Sequence, residues 1–258
     1  MKVYFVGAGP GAADLITLRG ARLLGQVRMV LYAGSLVPTA LLEHCHAEAE
    51  IIDTAALDLE QQQACYVRAY EQGIDVVRLH SGDPAIYGAT AEQMRRLDAL
   101  GIAYEVVPGV SSFTAAAAAV SAELTKPEVS QSVILTRVSG RASAVPESES
   151  IASLAAHRAT MCIFLSGPHL KKIVTDLLLH YPPETPVTLV YRATWPEQRV
   201  YQGQLDKVLE ENKRGEWNLT TMMLVGAALN KEQVVESSLY SKDFTHLFRV
   251  VKKNKDAA

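Results

Sequence analysis

The chain is predicted to be an α/β protein of two lobes, and three features of its sequence carry that prediction. Short apolar runs of strand length alternate with longer stretches of helical periodicity from the first residue onward. The alternation breaks once, at 122–131, where SAELTKPEVSQ turns polar, and then resumes. With 258 residues, 48% of them hydrophobic, the chain can bury two cores of ordinary size. The expected organisation is an N-terminal α/β lobe at 1–121, a linker at 122–131 and a C-terminal α/β lobe at 132–258. Pro127 supports the break, because it disfavours helix at Lys126. Ligands of open α/β sheets bind beyond strand ends, so the crevice expected between the lobes is the first place to seek a site.

In the first lobe, the runs VYFVGA, RMVLYA, EIID, DVVRLH and YEVVPG predict strands. The intervening stretches DLITLRGARLL, PTALLEHC, LDLEQQQACYVRAYEQG, ATAEQMRRLDALG and SSFTAAAAAVS predict helices, the first with Asp14 as N-cap. In the second lobe SVILTRV, ATMCIFLSG, PVTLVYRA and TTMMLVGAAL predict strands, with helical stretches SIASLAAHR, PHLKKIVTDLLLH and LDKVLEENKRG. RASAVPESES at 141–150 is expected to be a surface loop, and the tail KKNKDAA to fray.

Composition excludes several function classes. No run approaches the ~20 apolar residues of a membrane span, and MKVYFVGAGP reads as a strand entering a turn and not as a signal peptide, so a cytoplasmic location is expected. A formal charge of -3 argues against nucleic acid as a partner. Trp195 and Trp217 are too isolated to form a stacking platform. Cys45, Cys65 and Cys162 are odd in number and lack a CxxC pair, which gives neither a disulfide framework nor a zinc site. His44, Cys45 and His46 point in different directions on a helix, and no metal site is expected. No GxSxG elbow is present for hydrolysis.

Three motifs carry chemistry. GAGPG at 7–11 ends the first strand with glycines suited to a tight turn. As GxGxxA it also meets a loose dinucleotide fingerprint, which leaves a dinucleotide-binding module as an alternative. Pro10, which lacks an amide, and the absence of a carboxylate after the second strand both count against it. HSGDPAIYG at 80–88 follows the fourth strand and offers Asp83, either to a ligand or as a cap of its own turn. VVPGVSSFTAAAAA at 106–119 ends a strand at a Pro-Gly pair and opens an alanine-rich helix, with Ser111 or Ser112 as its cap.

GAGPG with DLITLRG, SGDPAIYG and VPGVSS, in this order and spacing, resemble the signature of the tetrapyrrole methylases. Members of that family are two-lobed enzymes that use S-adenosylmethionine (SAM), with neither the usual Rossmann methyltransferase fold nor a metal. Within the family YAGSLV, PEVSQSVILTR, YRATWPEQ and SLYSKDFTHLFR resemble the branch acting on carbon 11 of precorrin-4 or cobalt-precorrin-4 in cobalamin biosynthesis. Methylation of uroporphyrinogen III or of another precorrin carbon is the neighbouring alternative. The resemblance implies cofactor contacts from Pro10, Ser81, Gly82, Asp83, Ile86, Ser111, Ser112, Leu165, Ala193, Thr221 and Met222. Several members carry Gly, Thr and Met where this chain has Ser81, Ser111 and Leu165. It also implies a homodimer.

A corrin precursor edged with carboxylates calls for cations around an apolar site. His80, Lys126, Arg137, Arg141 and Arg192 are the expected partners, with Ser35 in YAGSLV on a flap over the substrate. Asp83, His80 and Tyr87 are conceivable bases, and no spacing singles one out.

Overall fold

The computed structural model of the chain describes residues 1–139, 144–212, 215–232, 241, 244–245 and 247–249. It divides into two compact units, Met1–Ala119 with Val190–Val200, and Val120–Leu189 with Tyr201–Ala258. The linear division at 122–131 did not anticipate the return of 190–200 to the first unit. Its physical reason is a pair of hydrogen bonds from that segment to the first turn of the chain, described below.

The first unit carries β1 (Lys2–Gly7), α1 (Leu18–Leu24), β2 (Met29–Tyr32), β3 (Glu50–Asp53), α2 (Leu59–Glu71), β4 (Val76–His80), α3 (Thr90–Ala99), β5 (Ala103–Val107) and α4 (Ser112–Ala119). Its sheet runs β3-β2-β4-β1-β5, with every pairing parallel. A parallel sheet is covered on both faces, and its strands read accordingly as near-continuous apolar runs. Val6, Val30, Val77 and Leu79 pack on one face with Leu24 of α1. Phe5, Met29, Leu31 and Val76 pack on the other with Tyr66 of α2 and Leu97 of α3. Each such side chain contributes roughly 1.5–3 kcal/mol by leaving water.

Local signals set the helix starts. Asp58 and Gln61 form a capping box at α2, with Gln61 N–H donating to Asp58 at 2.8 Å and Asp58 N–H donating to Gln61 at 3.0 Å. The cap of α1 is Thr17, whose hydroxyl accepts from Gly20 N–H at 3.1 Å, and not the expected Asp14. Asp14 lies in a separate single turn of 3-10 helix, Ala13–Leu15, that ends before α1 begins.

The second unit carries β6 (Val133–Arg137), α5 (Ile151–Ala155), β7 (Thr160–Phe164), α6 (Leu170–Leu177), α7 (Val208–Glu211), β10 (Thr221–Val225) and most of β8 (Pro186–Tyr191) and β9 (Arg199–Gln204), whose facing ends fall in 190–200. The sheet order is β6-β7-β10-β8-β9; β6 runs parallel to β7, and β10 antiparallel to it. β9 was not anticipated. Its sequence RVYQGQ is largely polar and mostly exposed, so it lacks the apolar run that marked the other strands.

Candidate cofactor site

Because β4, β1 and β5 are adjacent and parallel, the three motif loops leave the same edge of the first sheet. Their main chains meet there. Gly9 and Gly82 exchange hydrogen bonds, Gly9 N–H to Gly82 O at 3.3 Å and Gly82 N–H to Gly9 O at 2.8 Å. A Cβ on Gly7 would stand 2.5 Å from Gly109 Cα and 2.7 Å from Gly82 O, so this contact between three turns requires glycine. Gly82 itself has φ +66, and a Cβ there would meet nothing nearer than Ser111 Cα at 3.7 Å. Main-chain atoms of Val110, Ser111 and Ser112 thus stand beside Gly82 at ordinary contact distance.

Asp83 closes this arrangement. One carboxylate oxygen accepts from Ala85 N–H at 2.7 Å and the other from Gly109 N–H at 2.9 Å. The capping role weighed for it from sequence is present, and a second role joins the SGDP turn to the VPG turn. With each oxygen holding a main-chain donor, the carboxylate clips the two turns together.

His80 requires a correction: it is not a cation. The side chain is only 6% exposed, and burial, reinforced by the charge of Arg78 on the same strand face, pushes its pKa down to about 3 against a bond with the Gly88 backbone. Nε2 is buried without a partner, which leaves Nδ1 to donate to Gly88. The ring tilts against Phe5, centroids 5.7 Å apart. A neutral imidazole of this kind brings no positive charge to a substrate carboxylate.

The loop joining β8 to β9 supplies contacts that the sequence did not reveal. Thr194 Oγ1 accepts from Ala12 N–H at 2.9 Å, and Trp195 Nε1 donates to Pro10 O at 2.9 Å. Ala193, beside them, is 5% exposed. The guanidinium of Arg192 lies over the Trp195 ring at 5.1 Å and pairs with Glu197 at 3.4 Å. The sequence marks Trp195 only by its place inside YRATWPEQ.

In the second unit, antiparallel pairing of β7 with β10 brings the end of one strand beside the start of the other. Leu165, Thr221 and Met222 are thereby collected. Ser166 donates to Thr221 O twice, from N–H and from Oγ, each at 3.1 Å. Thr221 is 1% exposed, and its Oγ1 has no hydrogen-bond partner. Leu165 is 44% exposed with φ +54, an apolar side chain held outward. Arg137 ends β6 opposite Phe164, at this same edge of the sheet. Lys126 donates to Asn230 O at 2.6 Å.

The remaining assignments are more scattered. Ile86 donates its N–H to Asp83 O at 3.1 Å, and Tyr87 follows it, 52% exposed at φ +55. Ser35 is exposed on a loop fastened by Asp53, whose Oδ1 accepts from Gly34 N–H and Ala55 N–H, both at 2.9 Å. Arg141 lies outside the described residues. Non-glycine residues in the left-handed region recur on these loops, at Tyr87, Ala89, Leu165, Arg192 and Thr194, as strain at functional sites does.

The fold of two sheets, with three glycine turns meeting at one sheet edge, corresponds to a known class. Residues 2–209 match the model of the tetrapyrrole (corrin/porphyrin) methylases, and the chain belongs to that family. It is 49% identical to a precorrin-4 C(11)-methyltransferase of Pseudomonas aeruginosa over 249 residues, 96% of this chain and 99% of the relative. The solved structure of a cobalt-precorrin-4 methyltransferase of cobalamin biosynthesis is 42% identical, with a TM-score of 0.85 over 89% of this chain and 96% of that one. A uroporphyrin-III C-methyltransferase of Thermus thermophilus, solved in complex with S-adenosylhomocysteine, is 28% identical, with a TM-score of 0.75 over 91% of this chain and 98% of its own. The dinucleotide reading of GxGxxA falls with this membership.

Proposed function

We propose that the chain transfers the methyl group of SAM to carbon 11 of precorrin-4 or cobalt-precorrin-4. The observation that carries this reading is near-full-length similarity to relatives bearing that name, at 49% identity where the uroporphyrin-III enzyme stands at 28%. The residues present fit the donor. Main-chain groups of the turns around Gly82, where a Cβ would meet only backbone atoms of Val110, Ser111 and Ser112 at 3.7–4.0 Å, suit a ligand recognised through backbone contacts. The buried, unpartnered Thr221 hydroxyl can both donate and accept. Pro10, Ser81, Gly82, Asp83, Ile86, Ser111, Ser112 and Ala193 of the first unit, and Leu165, Thr221 and Met222 of the second, are the assigned contacts.

SAM supplies a methyl already activated by its positive sulfur, so the residues of the chain have chiefly to align. Alignment at near-attack distance is worth roughly 7–11 kcal/mol of the barrier. Asp83 serves it by holding two turns in register, and its contact with the cofactor runs through the main chain it fixes. Arg137 and Arg192 are assigned to substrate carboxylates, with Ser35 on the loop that Asp53 fastens. A homodimer in the cytoplasm completes the proposal; no helix among the described residues is long and apolar enough to cross a membrane.

Incubating the purified protein with SAM and each candidate tetrapyrrole tests it. A one-methyl mass gain on precorrin-4 or its cobalt form is expected; gain on uroporphyrinogen III or another precorrin alone would overturn the assignment.

A further inference from the structure

We infer that Thr194 and Trp195 are positioning residues that latch the cofactor turn. The inference rests on the functional reading above and adds residues to it. The turn GAGPGA has few ways to hold its own shape. Pro10 removes one donor, and the main-chain groups of Gly9 are engaged with Gly82. What fastens the rest comes from residues more than 180 positions away: Ala12 N–H donates to Thr194 Oγ1, and Pro10 O accepts from Trp195 Nε1, both at 2.9 Å.

The fit is tight as well as polar. A Cβ on Gly11 would stand 2.5 Å from Trp195 Nε1 and 2.8 Å from Thr194 Oγ1, so the third glycine of the motif is required by the latch and not only by the ligand. The latch is itself braced. Trp195 N–H donates to Arg192 O and Gln198 N–H to Trp195 O, each at 3.0 Å, while Thr194 N–H donates to Gln198 Oε1 at 2.6 Å. Arg192 stacks on the indole. Arg192 at φ +47 and Thr194 at φ +71 hold a left-handed backbone that β-branched and long side chains avoid. Such strain persists only where surrounding contacts over-determine it. Holding the turn in one conformation before the ligand arrives removes an ordering cost from binding.

Three conservative variants test the latch: Thr194→Val, which keeps shape and loses the hydroxyl; Thr194→Ser, which keeps the hydroxyl; and Trp195→Phe, which keeps a ring and loses the N–H. Amide hydrogen exchange at Ala12 without ligand, the Kd of S-adenosylhomocysteine by calorimetry, and the tetrapyrrole KM at saturating SAM are measured for each. Faster Ala12 exchange is expected in Thr194→Val, and about five- to tenfold weaker binding of S-adenosylhomocysteine in both Thr194→Val and Trp195→Phe. Thr194→Ser should stay within about twofold of the parent in exchange and affinity, and the tetrapyrrole KM should change less than about twofold in both Thr194 variants. Undiminished affinity in Thr194→Val and Trp195→Phe, or a Thr194→Ser as weak as Thr194→Val, contradicts the latch alone. A parent protein that binds no S-adenosylhomocysteine contradicts the functional reading, and the latch with it.

Discussion

The carboxylate of Asp83 accepts the main-chain N–H of Gly109 at 2.9 Å, tying the loop after β4 to the loop after β5. Its other oxygen accepts from Ala85 at 2.7 Å. An asparagine at this position has one acceptor for two donors, and its amide nitrogen would face an N–H in either orientation. Asp83→Asn should therefore lower stability by about 1–3 kcal/mol and weaken S-adenosylhomocysteine binding about tenfold, as read by urea denaturation and calorimetry. Binding at parental strength would show that the two turns keep their register without the clip.

Thr221 yields a prediction of opposite sign for stability and binding. Its buried hydroxyl has no protein partner, an arrangement that disfavours the folded state of the free protein. Thr221→Val preserves the shape and removes that group. The variant is expected to be as stable as the parent or more so, by up to about 1 kcal/mol, and to bind S-adenosylhomocysteine more weakly. Thermal unfolding with and without ligand separates the two effects.

His80 sets an acid limit on stability. Its folded pKa, about 3, lies below the ordinary 6.5, so between those values the unfolded chain binds a proton that the folded chain excludes. Its contribution is complete above about pH 6.5 and is lost as pH falls toward 3, at up to about 1.4 kcal/mol per pH unit. Removing the titration with His80→Asn should flatten the stability profile over that window relative to the parent. Parallel profiles would mean that the imidazole titrates normally.

Arg137 is assigned to a substrate carboxylate. Arg137→Ala should raise the tetrapyrrole KM about tenfold while leaving the affinity for S-adenosylhomocysteine within about twofold. Steady-state kinetics with calorimetry decide it, and an unchanged KM removes Arg137 from the substrate surface.

Much of the architecture was legible because it is encoded locally. Period and composition marked β1, β2, β4 and β10, since central strands covered on both faces are continuous apolar runs. The three motif loops could be placed because two follow such strands, β1 and β4, and the third follows the apolar run that ends β5. Properties that depend on distant partners were not legible. The Thr194–Ala12 bond spans 182 residues, and no periodicity announces it. His80 looked like a rim cation because its sequence neighbours are loop residues, whereas the packing of Phe5 and the nearby Arg78 make it a buried neutral ring. The bond of the Lys126 ammonium to the carbonyl of Asn230, 104 residues away, was likewise hidden. β9 escaped notice because an exposed, largely polar edge strand has no hydrophobic signature.

The most direct test of the account is a crystal structure of the protein with S-adenosylhomocysteine bound. The account predicts density against the turns of Pro10, Gly82 and Ser111. A ligand seated away from the Gly7, Gly82 and Gly109 turns would contradict it.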